Sequence, residues 1–213
     1  MHVVILSTKI EMFTEYENSE KIDVISTDGR VVYYPNFLSN IQSQELIKRI
    51  MAEALLEQNE ITLFGKKIKV PRLEAYFALN GEQYGYAGQQ LKVHVFPNYL
   101  EELRQKVEKL TGSKFNALLI NYYRDGQDSN GWHADDEKTL GTNPSIASLS
   151  LGAARPFEFK HKFNGDRKKL ILAHGSLLLM DGPLQHHYKH QLPKVKELTH
   201  ERINLTFRWV VQR

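Results

Sequence analysis

His133 and Asp135 stand two residues apart in "GWHADDEKT", a short polar stretch that also holds Trp132, Asp136 and Glu137. If the chain is extended there, both side chains project to one side, as two ligands of a metal ion must. A third ligand has to come from elsewhere. "DGPLQHHYKHQLPK" offers His186, His187 and His190, and His174 stands in "LAHGSLLL". Periodicity does not choose among the first three, and an exposed His-rich loop without metal is the competing account of them. His174 reads better as a structural histidine at a strand end. Two histidines and one carboxylate on one face leave open positions on a ferrous ion. A lone His-x-Asp pair occurs by chance in many chains, so the rest of the sequence has to carry the argument.

Its most informative segment is "RINLTFR". By the two-residue period of a strand, Arg202, Asn204, Thr206 and Arg208 share one face, and Ile203, Leu205, Phe207 and Trp209 the other. On a surface strand this is the ordinary pattern of a wet and a dry side. Two guanidinium groups flanking an asparagine also suit a polar cavity, because arginine binds carboxylates through paired, charge-assisted hydrogen bonds. In "LINYY", Asn121 and Tyr123 share a face and add hydrogen-bond donors.

These residues need elements to hold them. "KIDVISTDGRVVYYPNFL" alternates around Asp28-Gly29, a hairpin signal. Ser43 is the expected N-cap of a helix whose apolar face is Leu46, Ile47, Ile50, Ala54 and Leu55. A second helix is expected from Pro97 to Thr111, with Leu100, Leu103, Val107 and Leu110 as its stripe and Gly112 as its stop. From Phe115 onward the texture is short strands: "NALLINYY", "SIASLSLG", "PFEFKHK", "KKLILAH", "GSLLLMDG" and "RINLTFRWVV". That spacing predicts an antiparallel barrel or jelly roll. We expect one domain over 1–213. Within it, 1–112 forms an N-terminal extension with helices and a recognition lid, and 113–213 forms the core.

The chain of 213 residues is 41% hydrophobic and 25% charged, enough apolar content for a packed core. It has no cysteine, which excludes disulfides, thiolate zinc sites and a cysteine nucleophile. No apolar run approaches the roughly 20 residues of a bilayer span, and "MHVVILSTKIEMF" lacks the basic start of a signal peptide. An intracellular protein without a membrane partner is expected, cytoplasmic if bacterial and nuclear if eukaryotic, and a monomer. The net charge of +3 is modest, but Lys66, Lys67, Lys69 and Arg72 fall together, as do Lys160, His161, Lys162, Arg167, Lys168 and Lys169. Each cluster alone is a solvated face; two of them flanking a site suggest phosphate contacts.

The ordered set Asn121-x-Tyr123, His133-x-Asp135, His190 and Arg202-x-Asn204-x3-Arg208 resembles the AlkB family of Fe(II)- and 2-oxoglutarate-dependent dioxygenases, over roughly Tyr34 to Trp209. The resemblance is strongest in "LINYYRDGQDSNGWHADDE", "SIASLSLGA", "LAHGSLLLM" and "RINLTFR". "LFGKKIKVPR" and "YGYAG" are similar to the DNA-repairing branch. The resemblance implies a mainly β, α+β fold: a double-stranded β-helix, or jelly roll, with N-terminal helices and a hairpin substrate-recognition lid. It selects His190, in "YKHQLP", as the third iron ligand, and leaves His186 and His187 to support a ligand or face substrate. It implies that Arg202, with Asn121 and Tyr123, holds the distal carboxylate of 2-oxoglutarate, that Arg208 sits by the carboxylate next to the keto group, and that Asn204 supports them. Phe64 corresponds to the apolar finger that fills the gap left by a flipped base; a turn aromatic covering the core is the plainer account. Tyr84 or Tyr86 would stack on that base or bind its phosphate, and Glu137 would contact its exocyclic nitrogen. Asp136 is expected to be solvated, and Trp132 to pack in the core. The implied cofactors are Fe(II), 2-oxoglutarate and O2, with ascorbate as reductant in vitro. The implied reaction is oxidative demethylation of 1-methyladenine or 3-methylcytosine in duplex or single-stranded DNA, with release of formaldehyde. The alternatives are a dioxygenase acting on RNA or protein, and a non-catalytic nucleic-acid-binding β-barrel.

Overall fold

The period-two alternation seen in the last strand recurs across a large central sheet, and both of its faces are buried. The structure is a computed structural model that describes residues 20–63 and 65–211. The elements are β1 (Ile22–Ile25), β2 (Arg30–Tyr34), α1 (Asn40–Glu53), β3 (Glu60–Leu63), β4 (Lys66–Lys69), β5 (Leu73–Ala78), β6 (Val93–Val95), α2 (Asn98–Thr111), β7 (Ala117–Tyr123), β8 (Asn130–His133), β9 (Ile146–Gly152), β10 (Arg155–His161), β11 (Arg167–Leu172), β12 (Ser176–Asp181), α3 (Leu184–His187), β13 (Tyr188–Leu192) and β14 (Arg202–Arg208). The large sheet runs β1-β2-β12-β9-β14-β7-β5-β6, and a smaller one runs β11-β10-β13-β8. β3 and β4 form a separate hairpin. Strands from both sides of residue 112 therefore pair in the large sheet. Among the described residues, no helix is long and apolar enough to cross a membrane.

The molecule has three layers. One face of the large sheet presents Leu118, Ile120, Ala147, Leu149, Leu151, Ile203, Leu205 and Phe207 to the helices, which bring Leu46 and Ile50 from α1 and Tyr99, Leu100, Leu103 and Val107 from α2. The other face meets the small sheet, where Ile146, Leu178 and Met180 pack with Phe157, Phe159, Leu172, Tyr188 and Leu192. Each of these large side chains contributes about 1.5–3 kcal/mol when fully buried. The two-sheet build is the jelly roll expected from the strand spacing, and the β1–β2 hairpin turns at Asp28 and Gly29 as expected.

α2 runs as the apolar spacing predicts, from its N-cap Pro97 to Gly112, whose φ of 72° is the left-handed conformation that glycine adopts without a Cβ clash. α1 corrects the expectation in register. Its N-cap is Ser39, not Ser43: Ser39 Oγ accepts from Gln42 N at 3.2 Å, while Gln42 Oε1 accepts from Ser39 N at 3.0 Å. This is a capping box, and it starts the helix early enough to bury Ser43. The helix ends at Glu53, so Leu55 lies beyond it and is exposed.

Ser39→Ala should cost about 1 kcal/mol of unfolding free energy, the usual value of an N-cap. Ser43→Ala should be neutral or stabilising, because Ser43 Oγ is buried with no hydrogen-bond partner. Urea denaturation of the two variants separates the assignments; equal losses would contradict the cap at Ser39.

Candidate functional site

His133 ends β8 and His190 lies in β13, directly opposite it in the small sheet. Their rings stand edge to face, with centroids 4.2 Å apart. The chain leaves β8 and brings Asp135 between them. His133 Nε2 is 3.9 Å from Asp135 Oδ1, and His190 Nε2 is 4.0 Å from Asp135 Oδ2. One ligand atom from each of the three lies within 4.8 Å of the other two, which is a set able to hold a metal ion. Gln185 Oε1 accepts from the Asp135 amide at 3.0 Å and holds this turn. His190 is packed against Phe157 and Phe159.

The electrostatics keep the ligand atoms free of protons. Burial pushes His190 down to about 3, and the neighbouring His133 adds to it. Burial also lowers His133. For Asp135, burial works toward protonation, but Arg208 and then the two histidines outweigh it and hold the carboxyl well below the usual range. Arg208 Nη2 donates to Asp135 Oδ2 at 3.1 Å.

The polar face of β14 does not meet water. Arg202, Asn204, Thr206 and Arg208 are all buried between the sheets. With Asn121, Tyr123, His133, Asp135 and His190 they line a cavity of about 470 Å³. Arg202 Nη2 donates to Ser150 Oγ at 2.9 Å and Asn204 Oδ1 at 2.8 Å, and its guanidinium lies 5.3 Å from the centre of the Tyr123 ring. Burial pushes Arg202 down to about 10, which still leaves it cationic at neutral pH. Arg202 Nε and Arg208 Nε and Nη1 are buried without a hydrogen-bond partner. Buried charged donors without a partner are costly.

Tyr84, Tyr86 and Glu137 line the same cavity. Tyr84 is buried and donates to Glu137 Oε1 at 3.3 Å. Burial raises the Glu137 carboxyl, and Asp135 adds to the effect. The Tyr86 hydroxyl hydrogen-bonds Glu74 and accepts from Arg72 Nη2 at 2.9 Å. Phe64 lies outside the described residues.

Several expectations are corrected. Arg72 does not belong to a solvated basic cluster: Lys66, Lys67 and Lys69 are exposed, but Arg72 is buried. Its Nε donates to Glu74 Oε1 at 2.9 Å and Asn121 Oδ1 at 2.8 Å. Its Nη1 reaches Asn130 Oδ1 at 3.3 Å, and Asn130 Nδ2 lies 3.2 Å from His133 Nε2. Trp132 is not in the core; it is 36% exposed. His186 and His187 are not among the residues that line the cavity. His186 bonds the Thr142 carbonyl, and His187 stacks near His161. His174 is structural as expected, its Nδ1 accepting from Gly152 N at 2.9 Å. Asp136 is exposed and pairs with Lys162 at 3.6 Å.

The Arg72–Glu74 pair was missed, although a signal for it exists. Two opposite charges of equal parity, set at the start of the apolar strand "LEAYFA", read as inward-facing once that strand is central. Glu74→Ala should cost about 3–5 kcal/mol, since it leaves Arg72 buried and unpaired. Chemical denaturation measures this, and a loss under 1 kcal/mol would remove the pair from the fold's support. His133→Ala should abolish binding of Co(II), an oxygen-stable reporter, read by its visible absorption and by the loss of metal-induced thermal stabilisation.

Comparison with known proteins agrees with this geometry. The pattern of the 2OG-Fe(II) oxygenase superfamily matches residues 30–208. A DNA oxidative demethylase ALKBH2 of Bos taurus is 41% identical over 159 residues, 71% of this chain and 57% of that protein. The human ALKBH2 is 40% identical over 159 residues, 71% of this chain and 61% of its own length. The alpha-ketoglutarate-dependent dioxygenase alkB homolog 3 of Rattus norvegicus is 37% identical over 191 residues, 85% of this chain and 64% of that protein. This chain thus spans less than two thirds of the length of these relatives. The solved structure of OsALKBH1 has the same fold, with a TM-score of 0.60 over 84% of this chain and 97% of its own, at 18% identity. With a His-Asp-His cluster and a two-arginine cavity in one jelly roll, and with these relatives, the chain belongs to the 2OG-Fe(II) oxygenase superfamily, and within it to the AlkB family.

Proposed function

We propose that this protein removes N-methyl groups oxidatively from DNA bases, 1-methyladenine and 3-methylcytosine foremost, as a direct-reversal repair enzyme acting inside the cell as a monomer. The observation that carries the proposal is that one cavity holds both the metal-capable cluster and the arginines with unmatched donors, with Tyr84, Tyr86 and Glu137 on its wall. The named activity of the ALKBH2 relatives, DNA oxidative demethylase, supports the substrate class.

The family's cofactors are Fe(II), 2-oxoglutarate and O2. The residues fit them. Imidazole and carboxylate ligands with open positions suit ferrous iron. A dicarboxylate suits a cavity lined by two guanidinium groups. His133, Asp135 and His190 would hold the iron. Arg202, with Asn121 and Tyr123, would hold the far carboxylate of 2-oxoglutarate, Arg208 the near one, and Asn204 would support them. When bound, these cofactors supply the oxidising equivalent that hydroxylates the methyl group, after which formaldehyde leaves the base.

The chain's own contribution is positioning and exclusion. Arg208 holds Asp135 deprotonated and aimed between the histidines. The Gly131 carbonyl, 2.7 Å from His133 Nδ1, orients that ring with Nε2 toward Asp135. The buried apolar rings of Phe157 and Phe159 exclude water behind His190. Tyr84 and Tyr86 offer aromatic surface for an extruded base, and Glu137 an acceptor for its exocyclic nitrogen. Phe64 fits as the wedge, and Lys66, Lys67 and Lys69 as phosphate contacts beside it.

Mass spectrometry tests the reaction. A 3-methylcytosine oligonucleotide should lose one methyl mass only when Fe(II) and 2-oxoglutarate are both present. Faster loss from methylated RNA than from single- or double-stranded DNA would move the substrate to RNA. Arg202→Met should raise KM for 2-oxoglutarate by about tenfold to hundredfold, the worth of a charge-assisted pair. An unchanged KM would displace Arg202 from that role.

A further inference from the structure

Strand parity that turns His133 and His190 into the cavity turns Lys189 out of it, while Trp132 stands at the cavity's rim with its ring toward Arg167 on the outer face. On the outer face of the small sheet Lys189 lies directly opposite Lys160, and Lys160 directly opposite Arg167, across β13, β10 and β11. All three are exposed. Like charges set directly opposite on neighbouring strands repel, and they usually stand beside a carboxylate that relieves them. Here none does: among the described residues, no carboxylate is within ion-pair distance of any of the three. Glu158, two positions along the same strand and on the same face, is engaged with Lys169 at 4.0 Å and with Gln191 Nε2 at 2.7 Å. The row ends at an aromatic. Arg167 Cζ stands 6.0 Å from the centre of the Trp132 ring, although β11 and β8 are opposite edges of the sheet. The arginine and the indole therefore reach toward each other across the outer face, and the indole stays 36% exposed.

We propose that this outer face is a binding track for a single strand of nucleic acid, with phosphates on Lys189, Lys160 and Arg167 and a base stacked on Trp132. A row of unrelieved cations asks for a polyanion, and an exposed indole beside a guanidinium asks for a flat, polarisable ring. A single strand is the polyanion that offers both, because its bases are free to stack, whereas a duplex keeps its own bases paired. β8 is the edge of the small sheet, so a chain passing over that edge goes from Trp132 on the outside to His133 on the inside. The track would hold nucleotides flanking the one in the cavity and would favour unpaired substrate. This rests on the nucleic-acid reading of the cavity.

The test is binding to the whole, metal-free protein, read by indole fluorescence. Trp132 and Trp209 are the two tryptophans, so Trp209→Phe leaves one reporter. Oligothymidylate should quench Trp132. Lys189→Glu, a change at an exposed side chain, should weaken that binding about tenfold and lower the salt dependence, with each lost phosphate contact removing about 0.7 from the log–log slope. Trp132→Leu should weaken binding about fivefold or more, the worth of one stacked base. Inorganic polyphosphate should compete without quenching. Absence of quenching, an affinity indifferent to Lys189→Glu, equal quenching by polyphosphate, or a duplex that binds and quenches as well as the single strand would each overturn the track. Formaldehyde release by the unaltered protein from 1-methyladenosine, too small to reach the outer face, tests the cavity reading separately.

Discussion

The contact between Arg208 and Asp135 joins the two sheets at the point where chemistry is expected. The arginine comes from the large sheet and the aspartate from the turn after β8, and the 3.1 Å bond between them is buried. Two charges brought out of water cost several kcal/mol each, and their attraction recovers this only with good geometry. A fold optimised for stability alone would place apolar residues there. What the pair secures is position: it aims a deprotonated carboxylate between two neutral imidazoles, with Arg208 itself part of the cavity lining. The apolar layers on both sides of the large sheet provide the stabilisation against which this cost is set.

A second buried pair extends the same logic. Arg72 and Glu74 lie on and beside β5, at the foot of the β3–β4 hairpin, and touch segments that would otherwise be independent. Glu74 bonds Tyr86 and Asn59, and Arg72 bonds Asn121 and Asn130. Asn59 and Tyr86 are thereby fixed relative to Asn121 and Asn130. Side chains held in this way lose little further freedom when a ligand arrives, which is how a binding site becomes preorganised.

The small sheet serves two surfaces at once. Its inner face carries His133 and His190 among aromatic rings, and its outer face carries Trp132 and the row of cations. Because successive side chains alternate, residues adjacent in sequence belong to opposite environments, and a one-residue slip would exchange them.

Much of this was legible in the residues. The jelly-roll texture, α2 with its glycine stop and the β1–β2 hairpin followed from local periodicity and turn chemistry, which act over a few residues. So did the shared parity of Arg202, Asn204, Thr206 and Arg208. Parity alone did not say whether that face met water or a cavity, since a half-exposed strand and one buried on both sides can carry the same alternation. Only the packing of the small sheet over β14 decided it. The same limit explains the misses. Ser39 and Ser43 both precede the apolar stripe of α1, and the capping hydrogen bonds that separate them are a matter of backbone geometry. Arg72 sits beside three lysines in sequence, but its burial depends on Asn121, Asn130 and Tyr86 arriving from three other segments. Trp132 reads as a core residue by composition and is exposed because β8 is an edge. The sequence by itself determined which side chains share a face and which chemistry they are equipped for. The tertiary structure decided what each face meets, because burial is set by elements distant in the chain.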